Sequence, residues 1–211
     1  SFYRNKFKVF DNKINIIFEP ILSYLAKKLL KIGIKSNYIT IFGFFLGLIS
    51  FVLICFGHFY FALIFFLLNR FFDGLDGALA RLTKATDLGG FYDIVCDFII
   101  YGLLPLGFII IDKTNSISYA FLLSSFIGTG TTFLASAWYV EKNSKFLKDK
   151  KNKSFYYSGG ITEGFETIIC FVMMLIFREY SSIIAFLFAI LCWITVMIRI
   201  IKIRKFMINN N

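Results

Sequence analysis

The chain has 211 residues, 58% of them hydrophobic and 20% aromatic, with 29 phenylalanines and only 17% charged residues. A soluble domain runs at about 45–50% apolar and ~25% charged residues, so a disordered chain, a disulfide scaffold and almost any cytosolic enzyme are excluded. The formal net charge of +10 would suggest nucleic acid in a soluble protein. Here the excess lies mostly in short segments beside apolar runs, where cytoplasmic loops meet anionic lipid. Membrane lipid is therefore the expected partner, and no nucleic acid.

In chain order, residues 1–37 read as a cytoplasmic N-terminal segment. Within it Glu19 to Ile32 opens with Pro20 and places Phe18, Ile21, Leu22, Leu25, Leu29 and Ile32 on one side, with Lys27, Lys28 and Lys31 mostly off it. That stretch is too short to span ~30 Å of hydrocarbon, so it is expected to lie on the cytoplasmic surface as an amphipathic interfacial helix, ended by Gly33. Six apolar runs follow: Tyr38–Cys55, Phe59–Ala80, Leu88–Ile111, Ser118–Val140, Thr162–Phe177 and Ser181–Ile201. Inside lipid the backbone finds no water, which forces each into a helix. The fold class expected is thus an all-α integral membrane protein, with six transmembrane helices in a catalytic domain over 38–203 and a cytoplasmic tail over 204–211. The first long run begins too late for a cleavable signal.

Lysine and arginine set the orientation. Eight precede the first run, Arg81 and Lys84 lie between the second and third, six from Lys142 to Lys153 lie between the fourth and fifth, and Lys202, Arg204 and Lys205 follow the last. The opposite connections hold only Lys113 and Arg178. Both termini are expected in the cytoplasm, with the protein in a bacterial inner membrane. The basic stretch from Lys142 reads as a solvated loop. Cys55, Cys96, Cys170 and Cys192 have no metal-ligand spacing and read as reduced and structural, and the single His58 suggests no metal site.

The informative stretch runs from Asp73 to Asp97. Asp73 and Asp76 are three residues apart and Asp93 and Asp97 four, so each pair occupies one face of its helix. The two helices form an antiparallel hairpin turning near Ala85. Asp76 and Asp93 lie nine and eight residues from that centre and Asp73 and Asp97 twelve, which levels the carboxylates in two layers. An ionised Asp deep in a span costs ~2.5–3.5 kcal/mol, and four cost on the order of 10 kcal/mol. Two divalent cations would cancel the −4, and an all-oxygen ligand set favours Mg²⁺ or Mn²⁺. Such a pair of ions serves in-line displacement at phosphorus. Gly77 and Ala80 narrow the wall beside Asp76; Gly89 and Gly90 open the next helix, whose N-terminus favours an anion. Arg81 places a guanidinium at the cytoplasmic mouth. The same carboxylates also suit a divalent-cation or proton-coupled transporter, which remains the alternative.

The stretch resembles the signature of the CDP-alcohol phosphotransferase (phosphatidyltransferase) family, Asp-x2-Asp-Gly-x2-Ala-Arg followed by Gly-x3-Asp-x3-Asp. Its defining positions are present as Asp73, Asp76, Gly77, Ala80, Arg81, Gly89, Asp93 and Asp97, with a spacer one residue shorter than is usual in the family. Ser36-Asn37-Tyr-Ile-Thr40 resembles the family's polar element bordering the nucleotide. The resemblance implies transfer of a phosphatidyl group from CDP-diacylglycerol, or a similar CDP-linked donor, to the hydroxyl of a small alcohol, releasing CMP in phospholipid biosynthesis. It implies that Asp73, Asp76, Asp93 and Asp97 hold two ions, that Asp97 is the general base, and that Asn37, Thr40, Gly77, Ala80, Arg81 and Gly89 border the donor. A homodimer is also implied; Gly43 and Gly47 would suit either a dimer contact or helix packing.

Four other charged residues within the spans are candidates for the acceptor end: Arg70, Glu163, Glu166 and Arg199. Arg70, one turn before Asp73, would pair with the aspartates or bind a phosphate on the acceptor. Arg199 would serve there or snorkel to the surface. Glu163 and Glu166 open the fifth span, within Ser158-Gly-Gly-Ile-Thr-Glu163-Gly-Phe-Glu166, and would serve as helix-dipole partners or as acceptor ligands. The basic surface leans toward glycerol-3-phosphate as the acceptor.

Overall fold

The structure, a computed structural model, describes residues 19–83, 86–142, 162 and 164–209. All regular elements among them are helical: α1 over residues 19–31, α2 Ser36–Cys55, α3 Phe59–Leu82, α4 Asp87–Ile111, α5 Ser116–Lys142, α6 Gly164–Ile176, a 3₁₀ turn Arg178–Tyr180, and α7 Ser181–Asn209. Each expected span coincides with one of α2–α7, with ends agreeing to two residues except that α7 continues to Asn209. The spans Ser36–Cys55, Asp87–Ile111, Ser116–Tyr139 and Arg178–Lys205 are long and apolar enough to cross a membrane, and Gly164–Ile176 is apolar but shorter. The 24-residue α3 has the length but carries Arg70, Asp73, Asp76 and Arg81. The chain is an integral membrane protein. The turn centre at Ala85, Glu163, Phe18 and the basic stretch after Lys142 lie outside the described residues.

Glycine ends two of the helices in the same way. Gly33 and Gly57 both have φ of 78°. The Gly33 and Ile34 N–H groups donate to the Leu30 and Leu29 carbonyls at 3.0 and 3.1 Å, and those of Gly57 and His58 to Ile54 and Leu53 at 2.9 and 2.8 Å. This crossed pair of bonds satisfies the last carbonyls and needs a left-handed residue that only glycine adopts freely. The stop expected at Gly33 is therefore present.

The chain divides into two compact units, Ser1–Leu103 and Leu104–Asn211. In the first, α2 packs along α3. Ala26, Ile39, Leu75, Ala78 and Leu79 form a buried cluster, flanked by Leu22, Leu25, Leu29, Ile34, Phe71 and Phe72. α1 thus faces its own unit with Leu22, Leu25, Ala26 and Leu29, the narrow stripe that a 3.6-residue period brings together. Ile21 and Ile32, expected on the same side, are 53% and 70% exposed.

Gly43 and Gly47 belong to the packing of this unit. A Cβ on Gly43 would lie 3.1 Å from the Phe72 Cβ, and one on Gly47 would lie 2.6 Å from Ile100 Cδ1 and 3.2 Å from Asn69 Nδ2. The two glycines let α3 and α4 approach α2 closely, as small residues do where apolar burial gives helices no advantage over lipid. Gly47→Ala is expected to lower stability by about 1–3 kcal/mol through overpacking, read as a lower midpoint of thermal unfolding in detergent. An unchanged midpoint would mean that α4 has room to move.

In the second unit α7 packs against α5 and α6. Buried Tyr119 ties this unit together: its hydroxyl donates to Asp112 Oδ2 at 3.0 Å and lies 2.8 Å from Ser181 Oγ, which donates to the Arg178 carbonyl. Hydrogen bonds, chiefly from the Asn115 side-chain amide, hold the Asp112 carboxyl below its ordinary range, so this clasp stays charged at neutral pH and loosens only in acid. Cys55, Cys96, Cys170 and Cys192 are all free thiols, as expected.

Candidate active site

All four aspartates of the informative stretch lie in the first unit, two on α3 and two on α4. One carboxylate oxygen each from Asp73, Asp76 and Asp93 lie within 4.8 Å of one another. Asp97 makes a different contact. Its Oδ1 accepts a hydrogen bond from Arg70 Nη2 at 2.7 Å, and Arg70 Nη1 lies 3.6 Å from Asp73 Oδ2. The two layers expected from spacing are thus distinguishable. Asp76 and Asp93 line an open cavity, whereas Asp73 and Asp97 are bridged by the guanidinium one turn below.

Arg70 is held from several sides. Nε donates to Asn69 Oδ1 at 2.8 Å and Nη1 to the Tyr101 hydroxyl at 3.1 Å. The guanidinium carbon lies 5.4 Å from the Tyr101 ring centre and 6.0 Å from that of Phe66, within cation–π range. Asn69, 3% exposed, completes the chain by donating from Nδ2 to the Gly43 carbonyl at 2.9 Å. Of the two readings of Arg70, the structure displays pairing with the aspartates. Asn69 and Tyr101 escaped the sequence reading because neither is charged, and their roles depend on which helix faces them.

The cavity above Asp76 and Asp93 has a volume of about 160 Å³ and is lined by Ser36, Thr40, Asp76, Gly77, Ala80, Thr86, Gly89, Gly90 and Asp93. Thr40 Oγ1 donates to Asp76 Oδ2, joining the polar start of α2 to the carboxylate. Thr86 caps α4: its Oγ1 accepts from the Gly89 N–H at 3.1 Å, and its carbonyl from the Gly90 N–H at 3.1 Å. The positive end of the α4 dipole therefore borders the cavity. A Cβ on Gly89 would lie 3.1 Å from both Asn37 Oδ1 and Thr86 Oγ1, and one on Gly77 3.5 Å from Arg81 Nη1. Side chains there would narrow the opening, and exposed Arg81 stands beside it. Ser36 belongs to the polar element expected there, whereas Thr86 joins the lining unforeseen, although a Thr directly before the Asp87 helix start is a legible capping signal.

The remaining acceptor candidates that are described lie in the second unit. Glu166 sits in the first turn of α6. Arg199 Nη1 donates to the Thr129 carbonyl of α5 at 2.9 Å, and its guanidinium lies 5.9 Å from the Phe133 ring centre.

A family model described as CDP-alcohol phosphatidyltransferase matches residues 34–201. The chain belongs to the CDP-alcohol phosphatidyltransferase family. It is accordingly an enzyme, a transferase for substituted phosphate groups in phospholipid biosynthesis. It is 40% identical over 191 residues to the inner membrane protein YnjF of Escherichia coli, covering 90% of this chain and 93% of that one. It is 29% identical over 185 residues to the archaetidylinositol phosphate synthase of Pyrococcus horikoshii, covering 87% and 91%. Its fold is similar to that of the phosphatidylinositol phosphate synthase of Mycobacterium tuberculosis. With CDP-DAG bound, that structure has a TM-score of 0.70 at 21% identity, covering 86% of this chain and 92% of that chain. In complex with manganese and citrate the score is 0.68 at 22% identity, covering 85% and 87%. The transporter alternative has no support in these comparisons.

Proposed function

We propose that the enzyme transfers a phosphatidyl group from CDP-diacylglycerol, or a similar CDP-linked lipid, to the hydroxyl of a small polar alcohol, with release of CMP. The observation that carries this reading is the group of three carboxylates, Asp73, Asp76 and Asp93, at a cavity walled by Gly77, Ala80 and Gly89 and bordered by the N-terminus of α4. These oxygens lie within 4.8 Å of one another, so that small side-chain adjustments would let them share a hard cation. The donor set is hard and anionic, so it fits two such ions, with Asp97 at the second. When bound, they neutralise charge on the diphosphate and on the departing CMP.

The chain's own groups do the rest. Asn37, Thr40, Gly77, Ala80, Arg81 and Gly89 border the CDP end of the donor, with Arg81 and the α4 N–H groups facing its phosphates. At about 160 Å³ the cavity is smaller than the ~300–1,000 Å³ that encloses a drug-sized ligand, so it suits a phosphate-bearing portion and leaves the acyl chains to the lipid. Asp97 takes the proton from the acceptor hydroxyl. Positioning and charge neutralisation account for most of the lowered barrier.

On this reading α3 and α6 also cross the bilayer, giving six spans, with α1 at the cytoplasmic surface and residues 38–203 as the catalytic domain. The lysine and arginine distribution puts the site and both termini in the cytoplasm, and the YnjF relative supports an inner membrane. Arg70, Glu166, Arg199 and Glu163 remain the proposed acceptor-end residues. The homodimer rests on the family resemblance, since Gly43 and Gly47 are used within the chain.

The deciding experiment offers purified enzyme CDP-diacylglycerol with glycerol-3-phosphate, inositol phosphate, inositol, serine or choline and scores CMP and lipid product. Glycerol-3-phosphate is the acceptor suggested by the basic surface; inositol phosphate is the competitor suggested by the synthase relatives. Absence of CMP with every acceptor would overturn the choice of donor.

A further inference from the structure

We infer that Arg70 is the internal counter-cation of the aspartate site, competing with a divalent cation for Asp97 and Asp73, and that Asn69 and Tyr101 are the positioning residues that hold it in place. This rests on the metal-site reading above. The four aspartates carry a formal −4, which Arg70 reduces to −3. A guanidinium cannot relieve the site by losing its proton, and this one has only 8% of its side chain exposed, so its charge stays within the unit.

The geometry makes the competition unequal. Asp97 is held at 2.7 Å and Asp73 at 3.6 Å, while Asp76 and Asp93 face the cavity. A first ion therefore enters at Asp73, Asp76 and Asp93 without breaking the shorter bond. A second must take Asp97 from Arg70, and binds more weakly for that reason. Asn69 fixes the competitor: it is anchored on the α2 backbone at Gly43 and accepts from Nε, which sets the plane of the guanidinium. Tyr101 holds Nη1 from α4. Arg70 thereby keeps Asp97 in one orientation until an ion arrives.

The test is a Mn²⁺ titration of the detergent-solubilised full-length protein, following free Mn²⁺ by electron paramagnetic resonance, with kcat measured alongside. Wild type is expected to bind one ion tightly and one weakly. In Arg70→Gln the weak site should tighten by at least tenfold, because a unit positive charge a few Å from a divalent ion is removed, while kcat falls. Arg70→Lys keeps the charge and loses the fork; its Mn²⁺ affinities should stay within about threefold of wild type while kcat still falls. A merely structural arginine would weaken binding and turnover together. Equal or weaker Mn²⁺ binding in Arg70→Gln overturns the inference while leaving the metal site standing; no Mn²⁺ binding in wild type overturns both. Should Arg70→Gln fail to fold, Asn69→Ala decides. A several-fold tighter weak site with lower kcat and unchanged KM for the CDP-linked lipid supports the positioning role, and wild-type Mn²⁺ affinity overturns it.

Discussion

Asp97→Asn is expected to lower turnover by about 10²–10⁴-fold, the range of a positioned general base, while KM for the CDP-linked donor changes little. Asparagine retains an oxygen to accept the hydrogen bond that Arg70 Nη2 makes to Asp97 at 2.7 Å, so the side chain stays in place and only its charge and basicity disappear. Breaking a buried ion pair usually costs ~3–5 kcal/mol, but Asp73 remains 3.6 Å from the same guanidinium and shares its charge. A stability loss of about 1–3 kcal/mol is therefore expected, seen as a modest fall in the unfolding midpoint of a still monodisperse protein. Measured CMP release at the wild-type rate would remove Asp97 from the base role and leave it as a structural partner of Arg70.

Removing the divalent ions is expected to abolish CMP release altogether, with recovery on adding back Mg²⁺ or Mn²⁺. Asp76→Asn should reproduce the loss at any Mg²⁺ concentration that saturates wild type. Asp76 is 5% exposed, accepts a hydrogen bond from Thr40, and belongs to the group of three oxygens within 4.8 Å. Neutralising it would remove one of the three proposed anionic ligands and weaken the hold on a hard cation that prefers charged oxygen. Mn²⁺ binding, followed in the same way as for the Arg70 variants, should fall by at least tenfold. Full activity in excess chelator would overturn the metal reading. Flux of a divalent cation into sealed vesicles without any CDP-linked lipid would instead favour the transporter.

Hydrophobic run lengths were sufficient to locate α2–α7, because in lipid a long apolar stretch has no alternative to the helix, and punctuation by Gly33 and Gly57 follows from the backbone freedom of glycine. The two carboxylate layers were also legible, since a hairpin levels residues equally far from its turn. Less legible was the face of α1. Six apolar residues were consistent with one side, and only the position of the Leu75–Leu79 cluster decided that Leu22, Leu25, Ala26 and Leu29 face inward while Ile21 and Ile32 do not. The lining by Thr86 likewise depends on how the start of α4 lies against the start of α2.

By itself the sequence determined the membrane class, the helical runs and the placing of four aspartates in pairs on α3 and α4, because each follows from local rules: hydrocarbon thickness, helical period and the distance of residues from a turn. Tertiary structure decided how the four divide. Asp73, Asp76 and Asp93 gather while Asp97 goes to Arg70, since the guanidinium is aimed by Asn69 from a backbone carbonyl on α2 and by Tyr101 on α4. No spacing along one helix encodes a bond made across three, and so which of its two readings Arg70 follows was decided only once those helices were packed.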